Sequence, residues 1–134
     1  MSIEKIRAAL EVAVNSMTPA LPTNWQNDTF TPVKGVAWQR VTILTGRPEN
    51  QVMDTSFKEN GVLRISLFYP LRIGSALASQ RIDLIRSVFP RDTKLVKNNV
   101  TVATVGTPEK ASEQVETDWY SVVIDVRFFS EIST

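Results

Sequence analysis

Two segments alternate between apolar and polar residues, and they constrain the fold more than any other feature of the sequence. In the segment GVLRISLFY, every second side chain from Leu63 to Tyr69 is apolar. In the segment WYSVVIDVRFF, the same holds from Tyr120 to Phe128. A period of two residues is that of a β-strand. We therefore predict two strands of an antiparallel sheet that has one face covered.

Two other segments have the spacing of amphipathic helices. The first begins at a capping Ser2 and runs to about Met17, with one apolar arc and a single valine, Val12, on its polar side. The second begins at Ser75 and runs up to Pro90, because proline cannot continue a helix. Val12 is either a tolerated exposed apolar residue or a contact with a partner.

Arg81 projects from near the middle of the apolar arc of the second predicted helix. One interpretation is that its stem lies on the edge of the core while the guanidinium reaches water or pairs with a carboxylate. The other interpretation is a subunit interface, because arginine is enriched at interfaces. Both interpretations remain open from the sequence.

The remaining segments complete the order of elements. VAWQRVTIL predicts a strand, and KLVKNNVTVATV predicts a hairpin whose tight turn falls at Asn98 and Asn99. The order is α-β-β-β-α-β-β-β, with no internal repeat and no linker that would divide the chain. We therefore predict one α+β domain spanning residues 1–134, a mostly antiparallel sheet with both helices packed on one side.

A long polar segment, GRPENQVMDTSFKENG, joins two of these strands where a tight turn would suffice. Its charges nearly cancel, and its apolar side chains have no evident place in a core. Because methionine and aromatic side chains are favoured at interfaces, we hypothesise that this segment orders against a neighbouring protein. The residues assigned to that contact are Arg47, Glu49, Met53, Asp54, Phe57, Lys58 and Glu59.

A second polar segment, GTPEKASEQVETD, is acidic through Glu109, Glu113 and Glu116. The stretch between Arg64 and Lys97 is basic. Opposite charges on separate segments suit a head-to-tail ring, in which the acidic segment of one copy meets the basic segment of the next. The alternative is that both segments are simply solvated.

The residue types exclude several kinds of chemistry. The sequence has no cysteine and no histidine, which removes disulfides, thiolate nucleophiles, histidine-containing triads and Cys/His zinc sites. It contains no phosphate-binding glycine cluster and no calcium-loop pattern. Its carboxylate pairs lie in segments predicted to be exposed, outside any cleft that would shift their pKa values. We predict no catalytic, cofactor-binding or metal-binding residues.

The composition is that of a soluble globular protein, with 43% hydrophobic and 22% charged residues. No apolar run is long enough to cross a membrane, and the opening MSIEKIRAAL lacks the pattern of a secretory signal, so we expect a cytoplasmic location. The aromatic residues of the basic stretch belong to predicted core elements. This placement argues against sequence-specific recognition of nucleic acid.

The order of several short phrases resembles a known family. An opening IEKIRAALEVAV helix is followed by ALPTNWQNDTFTP, WQRVTIL, a loop containing RPEN, and GVLRISLFYP. A short helix then ends in FPRDT, and a TPE segment leads into DWYSVVIDVRFF. Over nearly the whole chain, this arrangement resembles the tail terminator proteins of long-tailed bacteriophages.

The resemblance implies a non-enzymatic structural protein of the virion, at the neck end of the tail and assembled in the host cytoplasm. Members of this family form a ring, commonly a hexamer, on the end of the finished tail tube. The ring stops polymerisation of the tube protein and presents a surface to the head connector, and DNA passes through its lumen without sequence recognition. Another phage neck or tail protein, or a small enzyme or binding module, remains the alternative.

Overall fold

The computed structural model describes residues 2–18, 20–26, 28–46, 49–50, 57–71, 74–92, 94–97, 100–115 and 118–132. Within them lie two helices and seven strands. In chain order these elements are α1 Ser2–Asn15, β1 Thr23–Asn24, β2 Trp38–Thr45, β3 Glu49–Asn50, β4 Phe57–Pro70, α2 Gly74–Val88, β5 Lys94–Lys97, β6 Val100–Val115 and β7 Trp119–Ile132.

The strands form one sheet in the order β1-β2-β4-β7-β6-β5, and the two-residue β3 pairs with β4. The β1–β2 pair is parallel, and the other described pairs are antiparallel. The predicted α+β class and order of elements are confirmed. Since the sheet is built mainly from hairpins and neighbouring antiparallel strands, its two faces can be covered independently.

The central strands β4 and β7 place their apolar alternation on one face. Leu63 lies opposite Val126 and Ile65 lies opposite Ile124, and all four side chains are buried. Directly opposed side chains of an antiparallel pair touch, so each apolar series stabilises the other. The two predicted strands and their inward faces are confirmed.

Both helices pack on this same face, as predicted. From α1 the core takes Ile6, Leu10 and Val14, and from α2 it takes Ala78 and Ile85. The spacing of three and four residues brings each set onto one side of its helix. The apolar face of β4 and β7 is therefore the floor of a single core, and the opposite face of the sheet carries no described helix.

Gln26 ties three elements together at the outer edge of β2. Its Oε1 atom accepts a hydrogen bond from the backbone N–H of Ile43 at 3.1 Å and another from Nη1 of Arg7 at 3.2 Å. A free strand edge exposes backbone groups that can pair with another chain. This glutamine occupies one such group and fixes the position of α1 relative to the sheet.

Two segments predicted as long loops are partly strand. Residues 57–60 extend β4 and pair with residues 129–132, and residues 106–115 belong to β6. Residues 109–115 are exposed, so that part of β6 lacks an apolar period, whereas residues 57–60 are polar although they are half-buried or buried. The pairing of β6 with β7 contains irregularities between Val105 and Glu109 and between Lys110 and Ser112, with Gly106 at a positive φ of 75°.

Close packing at Gly61 gives a test of the β2–β4–β7 arrangement. A Cβ atom on this residue would lie 2.3 Å from the carbonyl oxygen of Leu44 and 3.0 Å from Cζ of Phe128. We expect Gly61→Ala to lower the free energy of unfolding by about 1–3 kcal/mol, because backbone and ring must move apart. Urea denaturation measures this change.

Val62→Ala is the matched control, because it removes atoms from the adjacent position and adds none. It should lower the free energy of unfolding less than Gly61→Ala does. A Gly61→Ala protein as stable as the wild type would contradict the described contact between β2 and β4.

Candidate functional site

The face of the sheet opposite the helices, called the open face below, is the candidate interaction surface. It consists of the side chains that alternate with the buried series on β2, β4, β6 and β7. Its members include Trp38, Arg40, Leu44, Lys58, Val62, Arg64, Phe68, Val105, Trp119, Asp125, Arg127 and Phe129. Both apolar and charged groups are therefore present on a surface that the helices leave uncovered.

An aromatic cluster closes one end of the open face. The rings of Trp38 and Phe68 stack with centroids 4.1 Å apart and planes 7° apart, and Phe30 stacks on the indole at 5.2 Å. Trp119 meets Trp38 edge-on at 6.2 Å. Arg40 lies over the stacked rings, 5.5 Å from one centroid and 5.3 Å from the other. Such contacts make this end a stiff, well-packed platform.

A bidentate ion pair links β4 and β7 in the middle of the open face. Arg64 on β4 donates from Nε and Nη2 to the two carboxylate oxygens of Asp125 on β7, at 2.9 and 3.1 Å. The two residues are direct cross-strand partners. The hydrogen bonds to Asp125 raise the pKa of the Arg64 guanidinium above its ordinary value. This pair fixes the register of the central strands in a partly exposed position.

The other end of the open face contains a groove of about 480 Å³. Leu44, Val62, Val105 and Phe129 supply its apolar wall. Leu44 and Val105 are each nearly half exposed. An apolar surface of this kind gains stability when another protein covers it. We call this feature the open-face groove.

Cations stand at the rim of the open-face groove. Nζ of Lys58 lies 4.5 Å from the ring centroid of Phe129, and Arg127 is exposed with its Nη2 atom 3.9 Å from Oε2 of Glu109. Gly46 also lines the groove, together with Asn60. Residues from both ends of the polar segment GRPENQVMDTSFKENG therefore line the groove, and this is the segment that the sequence assigned to a partner contact.

The residues that the sequence assigned to a partner contact in that polar segment differ in position and burial. Phe57 and Lys58 are half-buried members of β4. Glu59 is only 6% exposed, so it lies below the surface of a single subunit. Glu49 lies in β3 and pairs with Lys58 in the strand register. Arg47, Met53 and Asp54 lie outside the described residues, and their roles remain predictions.

The acidic residues of the second polar segment lie on β6. Glu109 and Glu113 are exposed, and Glu116 is outside the described residues. Glu113 accepts hydrogen bonds from Nζ of Lys110 at 2.8 Å and from the Tyr120 hydroxyl. The Lys110 hydrogen bond, followed by that of Tyr120, lowers the pKa of Glu113, and the bond to Glu113 raises the pKa of Tyr120 to about 12.

The basic stretch predicted from the sequence does not form one surface. Arg64 is paired with Asp125, and Arg86 donates from Nε to the carbonyl oxygen of Pro108 at 3.1 Å. Nε of Arg91 lies 3.8 Å from its neighbour Asp92. These three side chains belong to β4, α2 and the turn after α2, and each has a partner within its own subunit. The contact between the acidic segment of one copy and the basic segment of the next stays a prediction.

Arg81 lies on α2 and is only 4% exposed. It lines a cavity of about 410 Å³ together with Tyr69 and Leu77. Burial lowers the pKa of its guanidinium below the ordinary value, and Tyr69 acts in the opposite direction. The side chain therefore contributes to the interior of the subunit, where the sequence alone placed it at the edge of the core or at an interface.

The described residues contain no group of three or more Asp, Glu, His or Cys side chains that could hold a metal ion. In the same part of the chain, neither helix is long and apolar enough to span a bilayer. The open-face groove was missed by sequence reasoning. Its signal in the sequence was the presence of Val62 and Phe129 at the outward positions of the two central strands, beside Arg64 and Arg127.

The contacts of Glu113 predict a dependence of stability on pH. Because its folded-state pKa lies below the ordinary 4.5, these contacts stabilise the fold above that pH and are lost as the pH falls through the folded-state pKa. We expect Glu113→Gln to lower the melting temperature at neutral pH, and we expect the difference from wild type to shrink at an acid pH below the folded-state pKa of Glu113. Thermal melts followed by circular dichroism measure this difference.

Glu109→Gln is the control for that experiment. Its carboxylate is exposed, and its contact with Arg127 is 3.9 Å long, so the substitution should change the melting temperature less. A difference between Glu113→Gln and wild type that is equally large at both pH values would contradict the described hydrogen bonds.

Comparison with known proteins identifies the family. A family model described as phage tail terminator protein matches residues 5–128. One solved protein structure superposes with a TM-score of 0.76 at 23% sequence identity, over 100% of this chain and 99% of that one, which shows a shared fold. The curated proteins give no significant match. Since the matched region covers nearly the whole sequence, the chain belongs to the phage tail terminator family.

Proposed function

We propose that this phage tail structural protein forms a ring, a hexamer in the family's common form, on the end of the tail tube. The ring stops polymerisation of the tube protein and gives the head connector a surface to join, at the neck end of the virion. DNA crosses its lumen without sequence recognition. Membership of a structural, non-enzymatic family supports this proposal.

The observation that carries the proposal is the difference between the two faces of the sheet. One face is covered by α1 and α2, and the other presents the open-face groove at the end opposite the aromatic cluster, in which the rings of Trp38 and Phe68 are buried. A protein that ends a polymer must bind the last subunit on one side and refuse the next subunit on the other. A sheet with one covered and one accessible face has that asymmetry.

The open-face groove is suited to contact the tube. Burial of apolar area stabilises a contact by about 25 cal/mol per Å², and half-exposed Leu44 and Val105 offer such area. Lys58 and Arg127 at the rim add charge that selects a partner with matching carboxylates. The residues at the two ends of the polar segment, Gly46 and Lys58, belong to this contact. The proposal therefore keeps that segment at the functional surface.

A charge inside the open-face groove tests this assignment. In a phage that produces this protein, Leu44→Asp should yield tails of uncontrolled length, as deletion of the gene should, because an unpaired buried carboxylate opposes docking. Electron microscopy of the tails measures their length. Val33→Asp, at a 63% exposed valine outside the groove, is the control and should leave tail length normal.

Three outcomes distinguish termination itself, the role of the open-face groove, and the alternative of a tube subunit. Normal tails on full heads after deletion of the gene would reject termination itself. Long tails after deletion, but normal tails with Leu44→Asp, would keep termination and remove the groove from the contact. Growth of the purified protein into tubes would favour a tube subunit in place of a terminator.

A further inference from the structure

A ring of identical subunits requires each copy to present two different surfaces that fit each other. This inference rests on the proposed function, since a ring is part of it. The basic stretch of the sequence does not form one of the surfaces as a whole, because Arg64, Arg86 and Arg91 belong to different elements, but Lys94 within it is exposed. The two surfaces must therefore be sought among the exposed apolar groups.

The first surface is the end of the β6–β7 hairpin, defined here by Glu113, Val115 and Asp118 and called the hairpin tip. Val115 is 73% exposed, and Asp118 is exposed beside the start of β7. Glu113 is held by Lys110 and Tyr120, which fixes the strand that carries the valine. The described residues of the tip therefore combine carboxylates with one exposed apolar side chain.

The second surface is a groove of about 490 Å³ between α1, the end of α2 and β5. We call it the edge groove. It is lined by Val12 of α1, by Leu95 and Val96 of β5, and by Lys94. Val96 is 71% exposed, so Val115 and Val96 are the two most exposed large apolar side chains among the described residues.

The charges of the two surfaces are opposite. Lys94 is exposed and, within the described chain, enters none of the ion pairs, and the same is true of Asp118. Carboxylate and ammonium groups at the edge of an apolar contact set its register and exclude wrong partners. The edge groove also includes β5, which among the described strands pairs with β6 alone.

One copy cannot fill its own edge groove. Val96 lies opposite Thr101, and the strand continues from there through irregular pairing to Val115 at the other end of β6. Lys94 lies opposite Ala103, which lies opposite Phe129 of β7, whereas Val115 lies opposite Tyr120. A strand rises about 3.3 Å per residue, so the nine residues of β7 between these levels separate the two surfaces by roughly 30 Å. The hairpin tip can reach an edge groove only on another molecule.

We propose that the hairpin tip of one copy docks into the edge groove of the next copy, with Val115 against Val12 and Val96 and with Asp118 near Lys94. The contact is head-to-tail, so it leaves one tip and one groove free at the ends of every open chain of subunits. Closure of the chain into a ring uses both. This assigns the subunit contact to the sheet edge and leaves the open face for the tube.

Complementary variants test the proposal. Val115→Asp places a charge on the hairpin tip and should prevent the tip from docking. Val96→Asp places a charge in the edge groove and should prevent the groove from accepting a tip. Each variant alone should raise the Kd of self-association by about tenfold or more relative to wild type. Because both valines are mostly exposed, neither substitution should unfold the subunit. An equimolar mixture should give a one-to-one heterodimer, because one intact tip and one intact groove remain.

Analytical ultracentrifugation of the separate and mixed proteins measures these masses. Val33→Asp, at a 63% exposed valine outside both surfaces and outside the open-face groove, is the matched control and should associate like wild type. A charge exchange gives a second measurement, in which Asp118→Lys and Lys94→Asp each weaken association and the double variant in one chain restores it at least in part.

Three results would overturn the docking contact: unchanged association of both valine variants, a mixture without heterodimer, or a wild type that is monomeric at every concentration. None of these results would bear on termination, which is tested by the measured length of the tails. Conversely, normal tails after gene deletion together with the expected heterodimer would reject the function and retain the contact. The two failures are therefore distinguishable.

Discussion

The antiparallel pairing of β4 with β7 is continuous from Phe57 opposite Ile132 to Pro70 opposite Trp119, and the remaining elements are arranged around it. The pair joins segments that are far apart in the sequence, so its loop-closure entropy must be offset by burial. The buried face of the two strands provides that burial only when α1 and α2 cover it. Removal of one strand would leave both helices without a floor.

The same pairing determines the surface available for function. Because side chains alternate across a strand, each inward residue of β4 and β7 is accompanied by an outward one. The outward series begins with the stacked rings of Trp38 and Phe68, crosses the Arg64–Asp125 pair and ends at the open-face groove. A rigid platform and an accommodating apolar groove therefore lie on one face, held in register by the central ion pair.

The sequence predicted the elements that have a strong apolar period, namely the two central strands and both helices. It did not predict that residues 106–115 form a strand, because a hairpin end with exposed faces carries no such period. Burial of Glu59 was not predicted, because its segment was expected to be a loop, whereas the place of Arg81 in an apolar helical arc had already indicated at least partial burial. The open-face groove gathers residues from four strands, and such a site becomes visible only once the register is known.

The central claim is that the open face meets the tail tube, and site-specific cross-linking tests it most directly. The sequence has no cysteine, so a single Leu44→Cys or Glu4→Cys substitution, alkylated with a maleimide that carries a benzophenone, places a photoreactive group either in the open-face groove or on the exposed side of α1. Tube ends are then added, and cross-linked products are identified by mass spectrometry. The account predicts cross-links to the tube protein from Leu44→Cys and none from Glu4→Cys, and the reverse result would contradict it.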